Sequence, residues 1–220
     1  MRSILSVSRR LVTSLVSVVL TAGCKDPARE VPRANTTQAS SPVRADREPA
    51  VGHERLAIVS ATSHVRFVAS KATGSHDGQF ERFSGAIDLD PARVEASAVH
   101  VEIETGSVAT DAPRLTNHLR SPDFFDTARF PTATFDSTVI RAGGPGGTTH
   151  TITGQLTLHG ERRTIAFPAT VAVGPTEVTA RAEFSINRRD FGLVYPGMSD
   201  DLIRDNVVIR LDVTAARTRP

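Results

Sequence analysis

The chain has 220 residues, of which 39% are hydrophobic and 5% aromatic, so it can bury a sizeable core. Its formal net charge is +2, from 26 basic against 24 acidic residues. Arg2, Arg9 and Arg10 lie in a segment that we expect to be removed, and 26 − 3 = 23 basic residues leave a nearly neutral protein. Because no Lys/Arg run of the kind that follows phosphates occurs, composition argues against nucleic-acid binding.

Residues 1–23 are predicted to be a secretion signal. Three arginines precede the apolar stretch 11–22, which has about 12 residues where a membrane-spanning helix needs roughly 20. Small residues then lead into the only cysteine, Cys24, and this end resembles a bacterial lipobox, in which the signal is cut before a cysteine that becomes lipidated. We therefore expect a lipid anchor at Cys24 and a place in the bacterial cell envelope, in the periplasm or at the surface. The alternative is an ordinary secretory signal with an incidental cysteine.

Residues 24–52 show no apolar periodicity and are rich in Pro, Arg, Ala, Ser and Thr. A segment of this composition buries too little apolar surface to offset the entropy of ordering it. We expect a disordered tether between the membrane and one folded domain, residues 53–216, with a short tail at 217–220.

Within the domain, apolar and polar residues alternate with period two, the pattern of half-buried strands. Eight such runs occur, at 65–69, 85–89, 99–103, 133–139, 152–158, 165–173, 178–186 and 207–213, and residues 55–59 could form another. Glycine-rich turns at 143–147 and 159–160 separate some of them. The pattern predicts an all-β fold, a sandwich or an antiparallel barrel, and eight strands close into a barrel that is either filled or holds one small ligand.

One segment departs from the alternation and predicts a short helix over residues 111–121. Leu115 and Leu119 share a helical face, and Asp111 is the expected cap, with Pro113 in the first turn. Pro122 ends the helix. A helix inserted between strands is well placed to cover one end of a barrel.

Five motifs, taken together, resemble those of the YceI-like family of lipid- and polyisoprenoid-binding proteins, over roughly residues 54–216. They are Gly78-Gln79-Phe80 with Phe83-Ser84-Gly85, the run Asn117–Asp126, the run Phe130–Phe135, the run Gly154–Gly160 and the run Asn187–Gly192. The resemblance implies a lipocalin-like antiparallel barrel that carries an isoprenoid quinone, a polyisoprenoid or another long-chain amphiphile. It also implies pairing of two copies, which exposed strand edges would allow, so a homodimer is left open.

Apolar side chains and small residues on the predicted inward faces suit a hydrocarbon tail, because such ligands bind in apolar pockets. The candidate pocket residues are Phe67, Ile87, Leu119, Phe124, Phe125, Phe135, Leu156 and Phe184. His118 is a candidate contact for a ligand head group, although a structural capping role is the favoured interpretation. A dry, filled core is the alternative for the whole interior.

Sequence motifs of catalysis are not found: there is no G-x-S-x-G, no H-E-x-x-H and no phosphate-binding glycine loop. We expect no catalytic residues, no metal ligands and no cofactor beyond a bound lipid. His100, Glu102 and Glu104 share a strand face, which more often is a solvated surface than a metal site. Arg188, Arg189 and Asp190 are expected to form a structural ion pair.

Three functions therefore stay open. The first is a lipid carrier or reservoir of the envelope, and the second is a filled barrel that acts through its surface as a structural or interaction protein. The third is an enzyme acting on lipids or quinones, for which a buried histidine–carboxylate pair facing a cavity would be the distinguishing feature.

Overall fold

The structure is a computed structural model and describes residues 26–39, 52–199 and 201–217. Its one α-helix is α1, Pro113–Arg120. The strands are β1 Asn35–Gln38, β2 Glu54–Ile58, β3 His64–Ser70, β4 Ser75–Phe80, β5 Phe83–Leu89, β6 Ala98–Glu104, β7 Val108–Thr110, β8 Thr132–Ala142, β9 His150–Leu158, β10 Glu161–Val173, β11 Glu177–Asn187, β12 Gly197–Met198, β13 Asp201–Leu202 and β14 Asn206–Ala216. Short 3-10 turns connect several of them.

Eight strands close into an antiparallel barrel, which confirms the predicted fold class. Around the wall the order is β10, β9, β8, β6, β5, β2, β14 and β11, and β11 returns to β10. Each strand of the wall is paired with a neighbour on both sides over at least part of its length.

At one end, the sheet continues beyond the eight strands of the closed barrel. β2 and β3 both pair with β14, and the 3-10 turn Ser60–Thr62 separates them. The neighbours of these two strands are also consecutive in the chain: β5 pairs with β2, and β4 pairs with β3. The additional strands β3, β4 and β7 form a flap of sheet above the closed barrel, and we call this the cap end.

The short helix α1 lies at the cap end, as the sequence predicts. The residue that caps its N-terminus, however, is not the predicted Asp111. The cap residue is Ala112, which makes no side-chain cap hydrogen bond, and Pro113 follows at the start of the helix. Asp111 instead lies 3.0 Å from His76, measured from Oδ1 to Nδ1. The helix ends before Ser121, which is extended at ψ 169°, because the following Pro122 disfavours helical backbone at the residue before it.

Part of the segment predicted to be a disordered tether is folded against the barrel. β10 and β11 pair only near their hairpin, at 170–173 and 178–181, and then separate. β1 pairs with the free edge of β10, while the Ala34 amide donates to the Ser185 carbonyl of β11 at 2.8 Å. The prediction was wrong for residues 26–39, because strand pairing uses backbone groups and needs no apolar periodicity. Apart from Gly52, the rest of the predicted tether lies outside the described residues.

Two side chains show how firmly this N-terminal segment is packed. Ala34 is 3% exposed and belongs to the central core cluster. Ala28 packs against Val68 and Val208 on the outer face of β3 and β14. The segment therefore fills a seam in the barrel wall and covers an apolar patch beside it.

The predicted signal peptide and Cys24 lie outside the described residues. In the part of the chain that the structure describes, no helix combines the length and the apolar character needed to span a bilayer.

Candidate functional site

The barrel interior is the candidate site, and its apolar side chains form three clusters. The central cluster contains Phe184, with Phe135 and Leu156 packed against it. The cluster at the cap end contains Phe67, Leu119, Phe124 and Phe125. Ile87 lies in the third cluster, at the opposite end of the barrel. The structure thus brings the predicted pocket residues to one interior, spread over its whole length rather than gathered at one point.

Several inward-facing side chains remain partly exposed although the wall around them is closed. They are Val99, Phe135, Leu156, Leu158, Val171, Ala182, Ile209 and Leu211. An inward side chain in a filled barrel would be in contact with its neighbours on all sides, since protein interiors are close-packed. The space next to these side chains is therefore not filled by the protein.

Two glycines make room on the inner face of the sheet for a phenylalanine ring that comes from the neighbouring, paired strand. A Cβ atom at Gly154 would lie 2.4 Å from Cζ of Phe135, and one at Gly78 would lie 2.2 Å from Cζ of Phe67. No real Cβ contact is that short, so the rings occupy room that only glycine leaves. Both glycines belong to the motifs on which the sequence resemblance rests.

Aromatic rings connect the strands of the cap end to the segment after α1, and that segment to the loop after β11. The Phe80 ring lies 5.8 Å from that of Phe67 and 5.6 Å from that of Phe125, measured between centroids. Phe124 contacts Tyr195 at 5.2 Å. Such tilted and edge-on pairs at 4.5–7 Å are favourable geometries, so they hold the cap in place. Sequence reasoning missed Tyr195, because nothing in its surroundings predicts that the loop after β11 returns to the helix.

His118 lies at the outer edge of this aromatic group. Its Nε2 atom lies 2.8 Å from Oδ2 of Asp123, and its ring packs edge-on against Phe124 and Tyr195 at 5.0 Å each. The side chain is 38% exposed. One ring nitrogen is thus engaged by a carboxylate within the same turn, which suits the structural role that the sequence favoured, and its contact with a head group stays a prediction.

The other histidine–carboxylate pair of interest lies on the outer face of the barrel. His100 Nδ1 is 2.7 Å from Asp136 Oδ1, and both residues alternate with inward-facing neighbours. Glu104, on the same strand, accepts two hydrogen bonds of 2.6 Å from Arg82, which lower the pKa of its carboxyl group. Within the described ranges, no three His, Cys, Asp or Glu side chains are grouped so that they could hold a metal ion.

Arg188 is buried beneath the loop that joins β11 to β14. It donates to the carbonyl groups of Leu193, Ile203 and Arg204 at 2.5, 3.3 and 3.2 Å. Both Arg188 and Arg189 also reach Asp205, at 3.2 and 2.7 Å.

The prediction that these arginines pair with Asp190 was wrong, because among the described residues their ion-pair partner is Asp205. The backbone carbonyl of Asp190 is turned away and accepts from Arg163 at 2.8 Å. Burial lowers the pKa of the Arg188 guanidinium, and the carboxylate of Asp205 opposes that shift. Arginine stays protonated in proteins, so Arg188 acts as a fixed cation that holds the loop.

A groove of about 410 Å³ lies on the outside of the wall, below Pro32. Its lining combines four charged residues, Arg181, Glu183, Arg210 and Asp212, with apolar ones, among them Pro145, Pro168, Ala182 and Leu211. Its walls are therefore of mixed character, unlike the apolar interior of the barrel.

A closed antiparallel barrel with an apolar, incompletely filled interior defines a protein of the lipocalin-like class. The YceI-like domain model matches residues 56–215, and the chain belongs to that family. Relatives named UPF0312 protein occur in Pseudomonas savastanoi pv. phaseolicola, at 34% identity over 126 residues, and in Pseudomonas fluorescens, at 31% over 132 residues. The first match covers 54% of this chain and 65% of the relative.

Solved structures share the fold. BcnA of Burkholderia cenocepacia is 26% identical, with a TM-score of 0.62 over 72% of this chain and 99% of that one. The YCEI protein of Campylobacter jejuni is 28% identical, with a TM-score of 0.52 over 64% and 85%. A polyisoprenoid binding domain from Saccharophagus degradans, 18% identical, has a TM-score of 0.59 over 74% and 98%.

Proposed function

We propose that this protein binds a long-chain apolar lipid, such as a polyisoprenoid or an isoprenoid quinone, inside its barrel, and serves as a carrier or reservoir in the bacterial cell envelope. The observation that carries the proposal is the row of inward apolar side chains that the protein leaves partly exposed. Moving a hydrocarbon tail into such space gains about 25 cal/mol per Å² of apolar surface removed from water. The Saccharophagus relative, described as a polyisoprenoid binding domain, supports the same ligand class.

The site residues have separate roles in this proposal. Phe135 and Leu156 contact the middle of the tail, with the buried Phe184 packed behind them, and Ile87 lies near the part that reaches the far end. At the cap end, the cluster of Leu119, Phe124 and Phe125 closes over the tail. Movement of α1 would open this end and admit the ligand.

We also propose that the protein is held at the membrane by a lipid on Cys24. The basic start, the short apolar stretch and the small residues before the cysteine support this anchor. Acyl chains contribute about 0.8 kcal/mol per buried CH₂ group, so more than one chain on the same residue keeps a protein on the membrane.

The first test is mass spectrometry of an organic extract from the mature chain, residues 24–220, carrying Cys24→Ser and purified without detergent. The N-terminal segment is kept because Ala34 belongs to the core. A stoichiometric isoprenoid or other long-chain lipid is the expected result. An empty extract from a stable, folded protein would favour the alternative of a filled barrel that acts through its surface.

A matched pair of variants tests where the lipid lies. Leu156→Trp places a bulky side chain on the inward face, whereas Thr157→Trp places the same side chain one residue along, on the outward face of β9. We expect Leu156→Trp to lower the retained lipid severalfold and Thr157→Trp to leave it unchanged. Equal lipid content in both variants would exclude the barrel interior as the binding site.

A further inference from the structure

We propose that residues 32–38, here named the strap, form a movable closure over a lateral opening in the barrel wall, and that the hydrocarbon tail of the ligand enters through this opening. The inference rests on the proposed function, since it names the route by which the proposed ligand reaches the interior. It places the faster of two entrances on the side of the barrel, and the cap end is the slower one.

The strap lies between β10 and β11, which are neighbours in the wall. These two strands pair with each other at 170–173 and 178–181. Further along, β1 of the strap pairs with β10 at 163–166, and the Ala34 amide donates to the Ser185 carbonyl of β11 at 2.8 Å. Since paired strands lie about 4.8 Å apart, β10 and β11 are about 9–10 Å apart where the strap separates them. Without the strap, this gap would be an opening in the wall.

The opening would lead directly into the apolar interior. Ile165 and Phe167 on β10, and Phe184 and Ile186 on β11, belong to the same core cluster as Ala34 of the strap. The rings of Phe167 and Phe184 are stacked, with centroids 4.3 Å apart and an interplanar angle of 12°. Both sides of the passage are therefore apolar on the inside, which suits a hydrocarbon tail.

The strap is held mainly by its backbone. Ala34 is its one buried residue, and the four residues of β1, Asn35–Gln38, are all polar. Segments with few buried apolar contacts and exposed backbone hydrogen bonds open locally at a low cost in free energy. The wall itself stays intact when the strap leaves, because β10 remains paired with β9, and β11 with β14.

The cap end is held by more contacts than the strap. The Phe80 ring contacts those of Phe67 and Phe125, and Phe124 contacts Tyr195. Opening the cap separates aromatic side chains from their partners, whereas the strap contributes a single buried alanine. The strap is therefore the easier of the two to open.

The chain that precedes the strap gives it a fixed point beside the opening. Ala28 and Val31 pack with Val68 and Val208 on the outer face of the wall. The strap can therefore lift from the seam while it remains attached to the barrel at its N-terminal side.

The outer groove described above lies at the edge of the strap. Among the described strands, residues 167–169 and 182–184 of β10 and β11 are not paired across the seam. The groove is lined there by Pro32, Pro168 and Ala182, among others. Pro168 has no backbone N–H to leave without a partner, which suits a gap in the ladder. The wall is thus already indented where a tail arriving from outside would first make contact.

A disulfide that locks the strap tests the proposal. Thr37 and Thr164 lie directly opposite each other on β1 and β10, next to the inward Ile165 and thus on the outer face. Opposite residues of antiparallel strands have Cα atoms about 4.5–5.5 Å apart, a distance that a disulfide spans. The variant is Thr37→Cys with Thr164→Cys, made in residues 24–220 carrying Cys24→Ser, so that no other cysteine is present.

The matched control is Thr157→Cys with Arg162→Cys in the same background. These two residues are also directly opposite each other, but they join β9 to β10 and leave the strap free. Each protein is freed of bound lipid on a hydrophobic resin. The rate at which it takes up cis-parinaric acid, a fluorescent long-chain fatty acid, is then measured before and after reduction of the disulfide.

We expect uptake by the oxidised, strap-locked protein to be at least about tenfold slower than after reduction, as for other gated sites, with the same amount bound at equilibrium. The control should take up the fatty acid at one rate in both states. Equal rates for the strap-locked protein before and after reduction would overturn the proposal and leave the cap end as the entrance. Failure of the unaltered protein to bind the fatty acid would instead refute the proposed function.

Proline substitutions test the strap in the opposite direction. Backbone N–H groups of successive strand residues point to alternate sides, and that of Ala34 points to β11, so the N–H of Thr37 points to β10 and that of Gln38 away from it. Thr37→Pro therefore removes a hydrogen bond to β10, whereas Gln38→Pro leaves this ladder intact. We expect faster uptake of cis-parinaric acid for Thr37→Pro only, and equal rates for the two variants would contradict the role of the strap as a closure.

Discussion

Replacing Arg188 by methionine should destabilise the whole domain, and its neighbour Arg189 provides the matched control. Arg188 is 4% exposed and binds three backbone carbonyl groups and Asp205. Methionine keeps the apolar stem but removes every donor, which leaves the three carbonyl groups without this partner, whereas Asp205, 43% exposed, keeps Arg189. Arg189 is 51% exposed and reaches Asp205 alone.

The two substitutions should lower the free energy of unfolding by different amounts, and the reason is physical. Leaving a buried acceptor without its donor costs about 1–3 kcal/mol, and Arg188→Met removes the donor from three carbonyl groups. An exposed ion pair contributes only about 0–1 kcal/mol. We therefore expect Arg188→Met to lower the free energy of unfolding by about 3–5 kcal/mol, and Arg189→Met by less than about 1 kcal/mol. The larger loss is a sizeable part of the roughly 5–15 kcal/mol that holds a domain folded.

Urea unfolding followed by far-ultraviolet circular dichroism measures both values. The urea concentration at the unfolding midpoint should fall strongly for Arg188→Met, while the slope of the unfolding free energy against urea concentration stays unchanged. Equal midpoints for the two variants, or a loss below about 1 kcal/mol for Arg188→Met, would refute the conclusion that the buried guanidinium holds the loop between β11 and β14.

Three further predictions concern the wall, the seam and the cap. Gly78→Ala should cost about 1–3 kcal/mol of unfolding free energy, because its Cβ would overlap the Phe67 ring, while Gly74→Ala, with open space around it, should be neutral in the same urea experiment. Ala34→Asp should lower the thermal midpoint markedly by burying a charge in the seam, and Thr37→Asp, on the exposed side of β1, should not; similar midpoints would contradict the packing of Ala34. Phe124→Leu with Phe125→Leu should lower the lipid retained after purification, and unchanged lipid content would argue against their contact with the tail.

The sequence determined the strands of the barrel and the place of the helix. Alternation of apolar and polar residues in 152–158 and 178–186 predicted β9 and β11, because one face of each strand packs into the interior and the other faces solvent. Pro113 and Pro122 bounded α1, since proline starts a helix readily and disfavours helical backbone before it. The family motifs, in turn, identified the inward glycines and aromatic residues without any knowledge of their contacts.

Only the tertiary structure decided how the chain closes the barrel and where its N-terminal segment lies. β1 is Asn35–Gln38, a polar stretch that binds β10 through backbone groups, and backbone pairing leaves no trace in residue type. The partner of Arg188 was likewise set by the path of a loop that brings Asp205 back to it, 17 residues later. Contacts of this kind depend on distant segments meeting in space, whereas periodicity reports only which face of a local element is buried.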